Sequence, residues 1–176
     1  MRYLLLLPLV LWLAACSVSI DGARYQALQP AFDLRNFFTG EVKAWGIVQD
    51  RSGNLVQRFQ VDIVGSVAGT TLILDETFSY SLGDGVRQRQ WRIEEGANGS
   101  LSGVADDIAG AAQGALYGNA LQWQYEMDLV LDSGTYRVSF DDWMWAFDSD
   151  TLINRSYIRK FGLVMAEVTI FMQKQP

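Results

Sequence analysis

Between residues 121 and 131 every second side chain is apolar: Leu121, Trp123, Tyr125, Met127, Leu129 and Leu131, with Gln122, Gln124, Glu126 and Asp128 between them. A period of two puts the two sets on opposite faces of an extended strand, so one face must lie on a core while the other meets water. Segments of similar length recur at residues 40–49, 55–65, 70–80, 86–94, 136–147, 151–160 and 163–174, with a short one at 101–105. They are separated by turn-forming runs such as Asp50-Arg51-Ser52-Gly53-Asn54 and Leu82-Gly83-Asp84-Gly85. Strands at this short, regular spacing predict an all-β antiparallel meander of eight or nine strands that closes into a barrel. Residues 106–118 depart from the pattern. Ile108, Ala111, Ala112, Ala115 and Leu116 keep a helical spacing behind Asp106 and Asp107, weakened by Gly110 and Gly114, which predicts a short helix or ordered loop.

Charged residues fall on faces that should be buried. In the third strand Glu76 shares a face with Leu72, Leu74, Phe78 and Tyr80, and in the fourth Arg89 shares one with Trp91 and Ile93. A four-residue loop pairing Ser81 with Val86 would set Trp91 opposite Glu76 and Arg89 opposite Phe78. Arg89 would then lie diagonal to Glu76 as a charge pair on the buried side. The stretch from Val138 to Phe147 is mixed on both faces, with Phe140, Asp142 and Met144 on one and Asp141, Trp143, Trp145 and Phe147 on the other. If the first face looks inward, Asp142 is too costly to bury alone, and the cations that follow at Arg155 and Lys160 are the expected partners.

The chain opens with Arg2 and an apolar run from Tyr3 to Leu13, too short for a permanent membrane span, which reads as a signal peptide over residues 1–15. It ends Leu13-Ala14-Ala15-Cys16, the form of a lipobox, in which the cysteine after the cleavage point is acylated. Cys16 is the single cysteine of the chain, so the expected anchor has one attachment point, and its two or three acyl chains would hold it stably in a bilayer. Residues 16–31 read as a tether and 32–176 as one barrel domain. The segment resembles bacterial lipoprotein signals, in which an aspartate after the cysteine is the usual inner-membrane retention signal. With Ser17 there, that resemblance implies the outer membrane, facing the periplasm.

Absences narrow the chemistry. The chain has no histidine, which excludes His-based triads and His-ligated metals, and with Cys16 acylated no thiol is left for nucleophilic or iron–sulfur chemistry. No cofactor or metal is expected, since no loop has the ligand spacing of a calcium site. The net charge of −6 without a basic tract argues against nucleic acid and against charge-driven membrane attachment. Asp141 and Asp142, as strand neighbours, point to opposite faces and cannot share a proton.

Several segments carry a family resemblance. Phe37-Phe38-Thr39-Gly40, Ala44-Trp45-Gly46-Ile47-Val48-Gln49-Asp50-Arg51, Glu76-Thr77-Phe78, Arg89-Gln90-Trp91, Gly118-Asn119-Ala120, Asp141-Asp142-Trp143-Met144, and Asn154-Arg155 through Lys160-Phe161-Gly162 resemble an uncharacterised family of bacterial lipoproteins, a domain of unknown function. The resemblance implies a calycin-like, lipocalin-like barrel and supplies no catalytic residues. Together with the aromatic content it leads to a lipid-anchored envelope protein holding a fatty acyl or other lipophilic molecule. The candidate ligand-binding residues are Glu76, Arg89, Trp91, Trp123, Tyr125, Phe140, Asp142, Met144, Arg155 and Lys160. The alternatives are an enzyme acting on such a lipid through Asp142, Glu76 and Arg89 or Arg155, and a structural lipoprotein whose barrel is filled with side chains.

Overall fold

The computed structural model describes residues 18–131 and 133–176; the expected signal peptide and Cys16 lie outside the described residues. Ten antiparallel strands close into one barrel in the order β1-β10-β9-β8-β7-β6-β5-β4-β3-β2. They are β1 Gly40–Asp50, β2 Leu55–Ala68, β3 Thr71–Leu82, β4 Gln88–Glu95, β5 Ser100–Val104, β6 Ile108–Tyr117, β7 Ala120–Leu131, β8 Gly134–Ala146, β9 Thr151–Lys160 and β10 Leu163–Lys174. Every neighbour in the chain is a neighbour in the sheet, and β1 closes on β10 from Val42 opposite Lys174 to Asp50 opposite Ala166. Closure leaves no free strand edge.

The tenth strand is the one the helical spacing concealed. Residues 108–117 form β6, paired with β5 and β7. The reason is steric: a Cβ at Gly114 would sit 2.5 Å from the Trp123 ring, and one at Gly103, across from β6 on β5, 2.8 Å from it. Gly114 of β6 and Gly103 of β5 make room for this indole in the wall. Gly110 takes φ +79° where the β6–β7 register shifts between Ala109 and Gln113, a bulge that glycine adopts without strain.

The helix lies elsewhere. Helix α1, Leu34–Phe38, begins at Asp33, whose carboxylate accepts the Asn36 N–H at 2.9 Å, a side-chain cap on a free helix donor. At the other end Lys174 donates to the carbonyls of Asn36 at 2.6 Å and Phe37 at 3.2 Å. These bonds seat α1 across one end of the barrel, with Phe37 and Phe38 buried. Gly65 makes the close approach possible, since a Cβ there would fall 1.6 Å from the Phe38 carbonyl oxygen.

Residues 18–31, expected to be a plain tether, pack on the outside of the wall. Asp21 caps a short 3₁₀ turn, Gly22–Tyr25, and the Tyr25 ring lies 5.9 Å from Trp143 and 6.0 Å from Trp145. Tyr117 stacks on the same Trp143 at 5.9 Å. Trp143 is therefore 1% exposed although it points away from the barrel interior. This explains why neither face of β8 carries a solvent pattern: one lines the interior and the other lies under the N-terminal segment.

Candidate functional site

The barrel encloses a cavity of about 970 Å³. Leu34 and Phe38 of α1 reach it at the closed end, while Val56, Asp84, Val130 and Ser133, near the turns of the opposite end, form its mouth. Most of the wall is apolar. Trp91 meets Trp123 edge-on at 5.6 Å and Tyr125 at 5.4 Å, and Tyr125 stacks on Phe140 at 4.8 Å. These rings come from alternate positions of β4, β7 and β8, which the period of two turns inward.

One polar patch interrupts this wall. Glu76 stands directly opposite Arg89 across β3 and β4, a register two residues from the expected one because the β3–β4 connection is longer than four residues. A slip of two keeps every side chain on its face, so both groups still point inward. Arg89 is bound by a different carboxylate: Asp107, in the turn before β6, accepts from its Nε at 2.9 Å and its Nη2 at 2.7 Å. The cation that the sequence assigned to Glu76 is thus held in a two-pronged pair by Asp107. Burial pushes the Glu76 carboxyl up to about 7, against the pull of Arg89 and with the push of Asp107.

Asp142 is buried and faces Ser156 across β8 and β9. Burial raises its pKa to about 7, opposed by the Ser156 hydroxyl and Arg89. Neither expected cation meets it. Arg155 lies opposite Trp143, on the outer face, and donates to Glu167 and to Thr169, each at 3.2 Å; it does not line the cavity. Its position between Asn154 and Ser156 gives it the wrong parity. Lys160 does line the cavity, but its ammonium lies over the Tyr136 ring, 3.7 Å from the centroid, near the mouth. On the outer face Asp141 accepts from Gln122 at 2.7 Å and Gln124 at 3.0 Å, with Arg159 at 3.7 Å.

Of the candidate residues, Glu76, Arg89, Trp91, Trp123, Tyr125, Phe140, Asp142, Met144 and Lys160 line the cavity together with Asp107, Asn154 and Ser156. The last three were not among the candidates. Asn154 and Ser156 share the inward face of β9 with Leu152 and Ile158, but apolar Ile153 and Tyr157 on the other face hide that parity in the sequence, and Asp107 could be placed only once β6 was read as a strand. Asn154 donates its amide to Ser156 at 3.1 Å, which leaves its own Oδ1, like Asp142 Oδ1, buried and unpartnered. The patch therefore offers acceptors in excess of donors. Among the described residues no group of three or more carboxylates gathers as a metal site.

A search of curated proteins finds no match. Among solved structures the chain is similar to the S-type phycobiliprotein lyase CPES from Guillardia theta, with a TM-score of 0.59 at 9% identity, covering 82% of this chain and 94% of that one. At that identity the likeness is one of fold, a calycin-like barrel. The match of a family model over residues 10–174, nearly the whole sequence, makes the chain a member of the family described as protein of unknown function, DUF3833.

Proposed function

We propose that this protein is a lipid-anchored binding protein of the bacterial cell envelope, attached through Cys16 to the outer membrane, that holds a fatty acyl or other lipophilic molecule inside its barrel. The observation that carries the reading is the cavity of about 970 Å³, a size suited to a small ligand and walled by aromatic and aliphatic side chains with one polar patch. A barrel filled by its own side chains would leave no such space. The polar patch also favours a kind of head group. Arg89 is already engaged by Asp107, and the free atoms at Asp142 and Asn154 are acceptors. A ligand whose polar end carries a hydroxyl or an amide N–H satisfies them, whereas an ionised carboxylate at this patch meets Glu76 and Asp142, with Lys160 standing apart near the mouth over the Tyr136 ring.

A competition titration tests this. A fluorescent acyl probe is displaced from the delipidated protein by primary alcohols, amides and carboxylic acids of increasing chain length. Affinity is expected to rise by roughly fourfold per added methylene, from about 0.8 kcal/mol for each CH₂ buried, and then to level off when the cavity is filled. At equal length and pH 8 the alcohol and amide should bind more tightly than the acid. Absence of binding, or affinities that do not depend on chain length, would reject the reading. Two carboxyls raised to about 7 within one cavity also support a second reading, acid–base chemistry on a bound lipid by Glu76 and Asp142. Turnover of a bound ester or amide that is lost in Asp142→Asn would favour it.

A further inference from the structure

The mouth of the barrel carries apolar side chains that nothing in the fold covers. Phe161, in the β9–β10 turn, is 92% exposed and Val130, beside the β7–β8 turn, 80%, the two most exposed large apolar residues among those described. Leu55 and Val56 after the β1–β2 turn, Leu82 before the β3–β4 turn and Leu163 after the β9–β10 turn are exposed as well. In an antiparallel barrel alternate turns share an end, so these residues from four turns gather on one rim. Singly they would be unremarkable, but a rim of them marks an interaction surface.

The backbone of Phe161 strengthens the case. Phe161 and Gly162 form a two-residue turn with φ +52° and +77°, a left-handed geometry suited to Asn, Asp or Gly and unfavourable for a bulky residue. The chain thus puts its most exposed aromatic ring where the backbone least accommodates one, and no packing explains it. Val56 and Val130 also line the cavity, beside Gln57, Asp84, Asp128 and Ser133 at its mouth, so apolar side chains of the rim run into the wall between polar ones. The start of the described chain lies at this end too. Val18 accepts from Arg159 at 2.6 Å and shares a depression with Gln49, Asp50, Gly53 and Val164, beside the β1–β2 and β9–β10 turns. Cys16 is two residues away, a span of at most about 7 Å.

We infer that the rim inserts into the lipid surface that holds the anchor, so that the cavity opens onto the bilayer and takes its ligand from the lipid phase. Lys160, with its ammonium 5.3 Å from the Phe161 ring, then stands one residue behind the tip, at the level of the head groups. The inference rests on the proposed acylation of Cys16 and lipid-binding cavity.

Two measurements test it on the full acylated chain, in which Cys16 leaves no free thiol. Phe161→Cys and Asp148→Cys, the latter in the β8–β9 turn at the opposite end, each receive an environment-sensitive fluorophore. The proteins are then reconstituted into phosphatidylethanolamine and phosphatidylglycerol vesicles with brominated acyl chains. The label at position 161 is expected to be quenched at least threefold more than that at 148, and equal quenching, or stronger quenching at 148, overturns the inference. Next, an acyl probe is supplied from vesicles or from water. Phe161→Asp is expected to slow uptake from vesicles about tenfold and leave uptake from water unchanged. Equal slowing from both sources overturns the inference and leaves the ligand reading intact. A protein that takes the probe from neither source overturns the ligand reading, while the quenching still reports the orientation of the rim.

Discussion

Replacing Asp142 by Asn should change how stability depends on pH. The unfolded chain releases this proton near pH 4, whereas burial in the folded barrel holds it to about 7. Between these values the folded state binds the extra proton, so raising the pH favours unfolding, and the loss is complete once the pH passes the folded value. A displacement of that size amounts to about 4 kcal/mol, of which about 3 kcal/mol falls between pH 5 and 8. For a domain of this length that is about 6–12 °C in Tm. Glu76, also raised to about 7 by burial, acts in the same direction. The carboxyls held low by their hydrogen bonds, Asp50, Asp128 and Asp148, titrate below this window. The delipidated protein should therefore lose stability from pH 5 to about 7 and level off toward pH 8, and Asp142→Asn, which cannot ionise, should roughly halve the loss. Thermal melts by circular dichroism at pH 5, 6, 7 and 8 measure both. An unchanged slope in the variant would mean that Asp142 is ionised beside a cation or in water, and the polar patch as described would be wrong.

Arg89→Met leaves Asp107 without its partner and should cost about 3 kcal/mol, whereas Asp107→Leu, which leaves Arg89 facing Glu76 across β3 and β4, should cost less. The double variant should be less damaged than the sum, and strict additivity in chemical denaturation would reject the pairing. Gly65→Ala should destabilise by about 2 kcal/mol because the new methyl meets the Phe38 carbonyl oxygen and must displace α1; a variant melting like the parent would place the helix elsewhere. Cys16→Ser should leave the precursor unprocessed and free of acyl label, and a variant that still incorporates labelled fatty acid would remove the anchor from the account.

The strands were legible because their code is local. In β7 alternation alone gives both the element and its buried face, and the inward position of Glu76, Arg89 and Asp142 follows from the same parity. Pairing was less so. Register between β3 and β4 depends on the conformation of the connection, and a slip of two residues leaves no trace in the pattern because it keeps each side chain on its face. Helical spacing in β6 was misleading because the strand is set by its partners β5 and β7, with Gly114 leaving room for Trp123 of β7. The partner of Arg89 was hidden with it, since Asp107 belongs to the turn that leads into β6. Arg155 was misassigned because β9 carries apolar residues on both faces, Ile153 and Tyr157 outward and Leu152 and Ile158 inward, so the alternation that orders β7 is absent there. The packing of Tyr25 on Trp143 joins residues more than a hundred positions apart, beyond any local pattern.

The claim that the barrel holds a lipophilic molecule is tested most directly by native mass spectrometry of the protein extracted from its own membranes in mild detergent. The account predicts the mass of the acylated chain plus one small apolar molecule, bound without a covalent link and released on unfolding. The acylated chain alone in every preparation, together with failure of the delipidated protein to take up any acyl compound, would contradict it.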